Sequence, residues 1–214
     1  MSKSVDLLIF DFDGTLADSL PAAIKSVQQM LQELGLPHKS APEIGQYIGF
    51  GEWALVAGAI GSEKEDEVKQ AQALYYKHNF ENIKEVPLYH HIQELIGFFK
   101  DKMKIIISNK RDEFIRLILQ RHKLDHYFRE ILGGDSAPCL KPDPCAILHV
   151  LEKYKVMASR ALFVGDMTVD IETGKNANVL TCAVTYGFHS RTDLEKLQPD
   201  FLIDDILELK ELVD

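Results

Sequence analysis

Six short, nearly unbroken apolar runs recur along this chain, at residues 5–10, 103–107, 130–132, 161–164, 180–184 and 201–203, several of them rich in Val and Ile. A strand wetted on one side alternates apolar and polar residues, whereas an unbroken run implies cover on both faces. Segments with helical patterning, such as 90–100, 112–121 and 144–155, separate the runs. Strands alternating with helices imply a parallel sheet joined by right-handed crossovers. The expected fold class is therefore α/β: a doubly wound, Rossmann-like parallel sheet with helices on both faces.

One connection breaks the alternation. Between the first two runs lie several helical patterns and no convincing strand. Leu20, Ile24, Val27, Leu31 and Leu34 keep one helical face, and residues 63–80 read as a further helix between Gly61-Ser62 and a turn at Pro87. A crossover usually needs a single helix. Residues 19–85 are accordingly read as a helical cap inserted after the first strand, with 1–18 and 86–214 forming the α/β core. A long crossover that merely covers the sheet is the alternative.

A chain of 214 residues, 46% apolar and 27% charged, has the composition of a soluble globular protein with a good-sized core. Its net charge of −9, with no basic run longer than Lys110-Arg111, argues against a nucleic-acid partner. Cys139, Cys145 and Cys182 are odd in number, without CxxC spacing or a paired His, so neither a disulfide nor a zinc site is expected. The start, Met-Ser-Lys-Ser, runs straight into the first strand with no leader-like segment. The longest apolar stretch, near 54–60, is too short to span a membrane. The expected location is the cytoplasm, with no membrane partner; oligomeric state is not legible.

Chemistry gathers at four places. The first is Asp11-Phe12-Asp13-Gly14-Thr15-Leu16, immediately after the first strand. Ligands of open α/β sheets bind beyond the carboxyl ends of the strands, and alternation puts Asp11 and Asp13 on the same side. Gly14 lets the backbone turn sharply and approach a ligand. Two close carboxylates repel unless a cation is present, which suggests Mg²⁺ and two roles, one nucleophile and one acid/base partner. A calcium-binding EF-hand loop fails, because it would want Gly at Leu16, Glu at Ala22 and a helix in front.

The second is Gly165-Asp166-Met167-Thr168-Val169-Asp170, again after an apolar run. Asp166 falls at a strand end; Asp170 lies one helical turn on and reaches the same ion. Taken singly, Asp166 is equally a helix cap. The third is Ser108-Asn109 at another strand end, a phosphate cradle or simply a capped turn. The fourth is Lys141-Pro142-Asp143-Pro144, whose prolines aim Lys141 from a stiff loop before a helix with Pro144 at its first position and Asp143 as cap.

In this order, the four segments resemble the haloacid dehalogenase superfamily of phosphohydrolases, and most of all its phosphoglycolate-phosphatase-like branch. The helical insertion is similar to that branch's cap. The resemblance implies that Asp11 attacks phosphorus to form an aspartyl-phosphate, while Asp13 protonates the leaving alcohol and then activates water. It further implies phosphate contacts from Gly14, Ser108, Asn109 and Lys141. Mg²⁺ would be held by Asp11, the carbonyl of Asp13, Asp166 and Asp170, and the partner would be a small phosphorylated metabolite. An acid at position 13 disfavours dehalogenation, which needs no proton for an alkoxide. A phosphomutase of the beta-phosphoglucomutase kind, an inorganic pyrophosphatase and, last, a non-catalytic binding module are the other readings.

The cap's substrate-facing turn reads Tyr47-Ile48-Gly49-Phe50-Gly51-Glu52-Trp53, with Tyr47, Phe50 and Trp53 as candidate substrate contacts and no Arg for a carboxylate clamp. His90-His91 read as solvated surface, and Gly187-Phe188 as a rim loop without an assigned role.

Overall fold

The computed structural model describes residues 3–214; Met1 and Ser2, where the run read for a leader begins, lie outside the described residues. The chain starts with β1 (Leu7–Phe10), then passes through α1 (Leu20–Glu33), α2 (Ala41–Gly45), α3 (Glu52–Ile60) and α4 (Glu65–Asn82). After α5 (Ile92–Phe98) come β2 (Met103–Ile107), α6 (Asp112–Arg121), β3 (Glu130–Leu132), α7 (Cys145–Tyr154) and β4 (Ala161–Gly165). It ends with α8 (Thr168–Asn176), β5 (Leu180–Val184), α9 (Arg191–Lys196), β6 (Phe201–Ile203) and α10 (Leu209–Leu212).

The six strands are parallel, in the order β3-β2-β1-β4-β5-β6. Phe10 at the end of β1 pairs with Ile106 on one side and Val164 on the other, so these three strands finish level. The chain winds outward through β2 and β3, then returns to β4 on the opposite side of β1. A crevice opens beyond the strand ends at such a reversal. The residues following β1, β2 and β4 meet there.

Both faces of the sheet are covered, as the unbroken runs require. Leu7, Ile9, Ile105, Ile107 and Phe163 pack against Ala146, Ile147 and Val150 of α7. The alternate residues Leu8, Phe10, Ile106, Leu162 and Val164 pack against α5 and α6 through Ile92, Leu95, Phe114, Ile115 and Ile118. Burying each such side chain contributes about 1.5–3 kcal/mol. Lys104 is the exception on β2: buried, it donates from its ammonium to the carbonyls of Phe99 and Lys102, and desolvation pulls its pKa down.

Helices α1 to α4 enclose a core of their own, with Val27, Met30, Leu31, Ile44, Val56, Val68 and Ala71 buried together. Asn82 ties α4 to α1, donating to Ser26 Oγ at 2.9 Å and Gln29 Oε1 at 2.7 Å. The chain passes between this helical lobe and the sheet twice, side by side. Asp18 N donates to Pro87 O and Tyr89 N to Leu16 O, both at 3.0 Å, beside an Ala17–Leu88 bridge.

All six apolar runs contain strands, the first trimmed to 7–10 and the fourth extended to Gly165. Helix α6 matches its reading, whereas α5 is shorter, because His91 adopts φ 63° as its N-cap. Helix α7 starts one residue late: Pro144 is its N-cap, and Asp143 Oδ1 accepts from Cys145 N at 2.9 Å. Among the described residues, no helix is long and apolar enough to cross a membrane.

Candidate active site

Asp11 leaves the end of β1 with its N–H still bound to Val164 O, at 2.9 Å, so the strand aims its carboxylate into the crevice. That carboxylate is buried. The Lys141 ammonium lies 2.8 Å from Asp11 Oδ1 and 2.6 Å from Asp170 Oδ1. Apart from this ion pair, Asp11 Oδ1 has no hydrogen-bond partner among the described residues. Burial pushes the Asp11 carboxyl up to about 7; Asp170 and Asp13 add to the rise, and Lys141 opposes it.

Asp13 lives in different surroundings. It is only partly buried and pairs with the Lys110 ammonium at 3.0 Å, while the Ser19 hydroxyl donates to its Oδ1. Between them and the second acidic segment stands Gly14, at φ +82°. A Cβ there would lie 2.1 Å from Asp166 Oδ2, so the absent side chain makes room for a carboxylate.

Asp166 follows β4 fully buried and accepts from the Thr15 hydroxyl at 2.8 Å and from Phe188 N at 2.7 Å. Burial raises its pKa well above the usual carboxylate range, with Asp170 and Asp11 adding to the rise. It is not a helix cap: α8 starts at Thr168, and the N–H of its N-cap Met167 donates to Asp170 Oδ2 at 2.9 Å. Carboxylate oxygens of Asp11, Asp166 and Asp170 all lie within 4.8 Å of one another. Three buried carboxylates against one lysine leave an excess of negative charge. An orphaned oxygen and this all-oxygen donor set fit a hard divalent cation.

Ser108 and Asn109 follow β2. Ser108 is buried at the cavity wall. The Asn109 side chain is committed to backbone: Oδ1 accepts from Lys141 N at 2.9 Å, and Nδ2 donates to Lys141 O at 3.1 Å and Gly49 O at 2.8 Å. Asn109 thus fixes the lysine loop and touches the helical lobe. The expectation of no disulfide is corrected here. Cys139 and Cys145 are joined across this loop, because its turn brings their Cα atoms to 6.1 Å despite a spacing that matches no CxxC pattern. Cys182 is free and buried on β5.

The cavity over Asp11 holds about 60 Å³ and is lined by Asp13, Ser108, Lys110, Arg111 and Lys141 from the sheet side. From the helical lobe come Ile48, Gly49, Gly51, Glu52, Leu55, Tyr75 and Asn79. The candidate contacts Tyr47, Phe50 and Trp53 are not among the residues that line this cavity. Gly49 at φ +94° and Gly51 at φ +93° redirect the turn, leaving Phe50 and Trp53 exposed and Tyr47 packed within the lobe. An arginine lines the cavity from the sheet side, already paired with the cap: Arg111 Nε lies 2.5 Å from Glu52 Oε2, and its Nη2 donates to Glu52 Oε1 at 2.9 Å. His91 instead pairs with Asp205 at 2.9 Å.

Sequence reasoning missed Lys110, Thr15, Ser19 and the Asp166 contact of Phe188. Phe188 left a signal, as part of the Gly187-Phe188 rim loop, whereas Lys110 stands in the sequence only as part of a basic dipeptide.

The sequence profile of the family described as haloacid dehalogenase-like hydrolase matches residues 8–184 of this chain. The chain belongs to the haloacid dehalogenase-like hydrolases. It is 33% identical to the phosphoglycolate phosphatase of Vibrio cholerae, over 99% of this chain and 98% of that one. It is 32% identical to that of Haemophilus influenzae, over 98% of each. A crystal structure of a predicted phosphoglycolate phosphatase from Haemophilus somnus superposes with a TM-score of 0.91 at 28% identity, covering 97% of both chains. Full-length likeness to phosphatases of the haloacid dehalogenase-like family makes this chain a hydrolase of the phosphatase kind.

Proposed function

We propose that this protein hydrolyses a small phosphomonoester of the phosphoglycolate kind through an aspartyl-phosphate on Asp11, and that residues 19–85 act as its cap. The observation that carries the reading is the split between two carboxylates two residues apart. Asp11 is buried against Lys141 and two further acids, whereas Asp13 is partly open and paired with Lys110.

In this reading the Asp11 carboxylate attacks phosphorus, and the ester oxygen leaves with a proton from Asp13. Asp13 then takes a proton from the water that attacks the aspartyl-phosphate, a relay worth about 10² to 10⁴ in rate. Lys141 bridges Asp11 and the transferring group, and Lys110 holds Asp13 in line. Ser108 and the amides after β2 take phosphate oxygens, while Asn109 holds Lys141 in register. Asp11, Asp166, Asp170 and the carbonyl of Asp13 would hold Mg²⁺, which when bound neutralises charge on the phosphoryl oxygens. The small cavity over Asp11 favours a small ligand over a bulky one. The relatives of matching length are phosphoglycolate phosphatases.

The test is phosphate release from phosphoglycolate, pyrophosphate, a nucleoside monophosphate and a sugar phosphate, with Mg²⁺ or with EDTA. Release that needs Mg²⁺, is fastest with phosphoglycolate and vanishes in Asp11→Asn is expected. Fastest release from pyrophosphate, or isomerisation of the sugar phosphate without release, would replace the reading with a pyrophosphatase or a mutase.

A further inference from the structure

The loop that delivers Lys141 to Asp11 is closed into a ring by Cys139 and Cys145, and nothing in the phosphatase reading uses that ring. We propose that this pair is a thiol–disulfide exchange site whose oxidised form holds Lys141 in its working position. The effect on rate rests on the phosphatase reading; the exchange itself does not.

Lys141 sits two residues after Cys139 and four before Cys145. Inside the ring its ammonium reaches both Asp11 and Asp170, and Leu140 stands beside it, 3.0 Å from where a Cβ would sit on Gly51 of the helical lobe. One short ring therefore carries the bridging lysine and a contact with the lobe. Cys139 and Cys145 are both partly exposed. Asp143 packs against the pair, its Oδ1 3.4 Å from Cys139 Sγ. Cys145 opens the ten-residue helix α7, so the ring is anchored at one end to regular structure, with Asp143 Oδ1 accepting from the Cys145 N–H. Cys182 is buried, and burial pushes its thiol up, so it takes no part.

The exchange balances with a thiol of the glutathione or thioredoxin class. One Cys139–Cys145 bond breaks and one reductant disulfide forms, as two reductant thiols pass two electrons and two protons to the cysteine sulfurs. Opening the ring frees backbone on both sides of Lys141, and displacement of a catalytic group by about 1 Å costs up to roughly 10²-fold in rate. Asn109 still holds the lysine backbone, so the expected loss is smaller, about 3- to 10-fold in kcat with KM within about 2-fold.

The experiment compares protein equilibrated with glutathione disulfide and with dithiothreitol. Free thiols are alkylated under denaturing conditions, counted by intact mass and mapped by peptide. Of three cysteines, all three should be alkylated after reduction and only Cys182 after oxidation. Phosphoglycolate turnover with Mg²⁺ should fall in the reduced form. The Cys139→Ser/Cys145→Ser double variant should match the reduced rate under both conditions. Three free thiols after oxidation would overturn the exchange site, and equal kcat in both states, with the bond mapped, would overturn its hold on Lys141. Absence of turnover in every form would count against the phosphatase reading, with the thiol count still deciding the exchange.

Discussion

Asp13 stands only two residues from Asp11, yet it pairs with Lys110, which comes from the segment after β2. Asp13→Asn keeps the shape and removes the proton relay from both half-reactions, so kcat should fall by about 10²- to 10⁴-fold and labelling of Asp11 should slow as well. Steady-state rates set against single-turnover labelling check this; an unchanged kcat contradicts it. Gly14→Ala would put a methyl into the Asp166 carboxylate and strain a positive φ, costing about 1–3 kcal/mol in stability and the Mg²⁺ site with it. Calorimetry with and without Mg²⁺ should show a lower melting temperature and no metal response. For the metal-free protein, burial holds Asp11 at about 7, above its ordinary 3.8. A carboxyl raised in the fold adds stability that is full below its unfolded pKa and lost as pH rises through its folded one. Mg²⁺ should therefore raise the melting temperature more at about pH 8 than at about pH 5; an equal gain contradicts the arrangement. The acids themselves were legible because each follows a strand. Thr15, Ser19 and Lys110 were not, since their partners lie 151, 6 and 97 residues away and no local pattern marks them.

Strands announced themselves because both faces of this sheet are buried, which leaves little room for polar residues. Phe163→Ala on β4 empties a buried site between two core strands and should cost about 3–5 kcal/mol, read by urea unfolding. A loss below about 1 kcal/mol would mean that the sheet is not packed as described. The turn before α3 was the least legible element. Its aromatic residues suggested substrate contact, but two glycines at positive φ break any simple alternation, and Glu52 rather than Trp53 reaches the cavity. Glu52 meets Arg111 at the start of α6, linking the lobe to the sheet across the cavity mouth. A double-mutant cycle of Glu52→Gln and Arg111→Met should give a coupling of about 1 kcal/mol, modest because the pair is partly solvated. Strict additivity would show that the two do not act together.

At the scale of the whole molecule, a net charge of −9 surrounds a cavity that presents Lys110, Arg111 and Lys141. The expectation of no nucleic-acid partner rests on global charge, which says nothing against a small anion, because such an anion meets local cations before it meets the field of the surface. The strand order lets one crevice collect segments that start 97 and 58 residues apart, at Asp11, Ser108 and Asp166. That convergence is why the four motifs were readable together and ambiguous singly. The most direct measurement is acid quenching of the enzyme during turnover of phosphoglycolate with Mg²⁺, followed by peptide mass spectrometry. The account predicts one phosphoryl group on the peptide containing Asp11 during turnover, absent from Asp11→Asn. Turnover with no phosphorylated Asp11, or with the phosphoryl group on another residue, would contradict it.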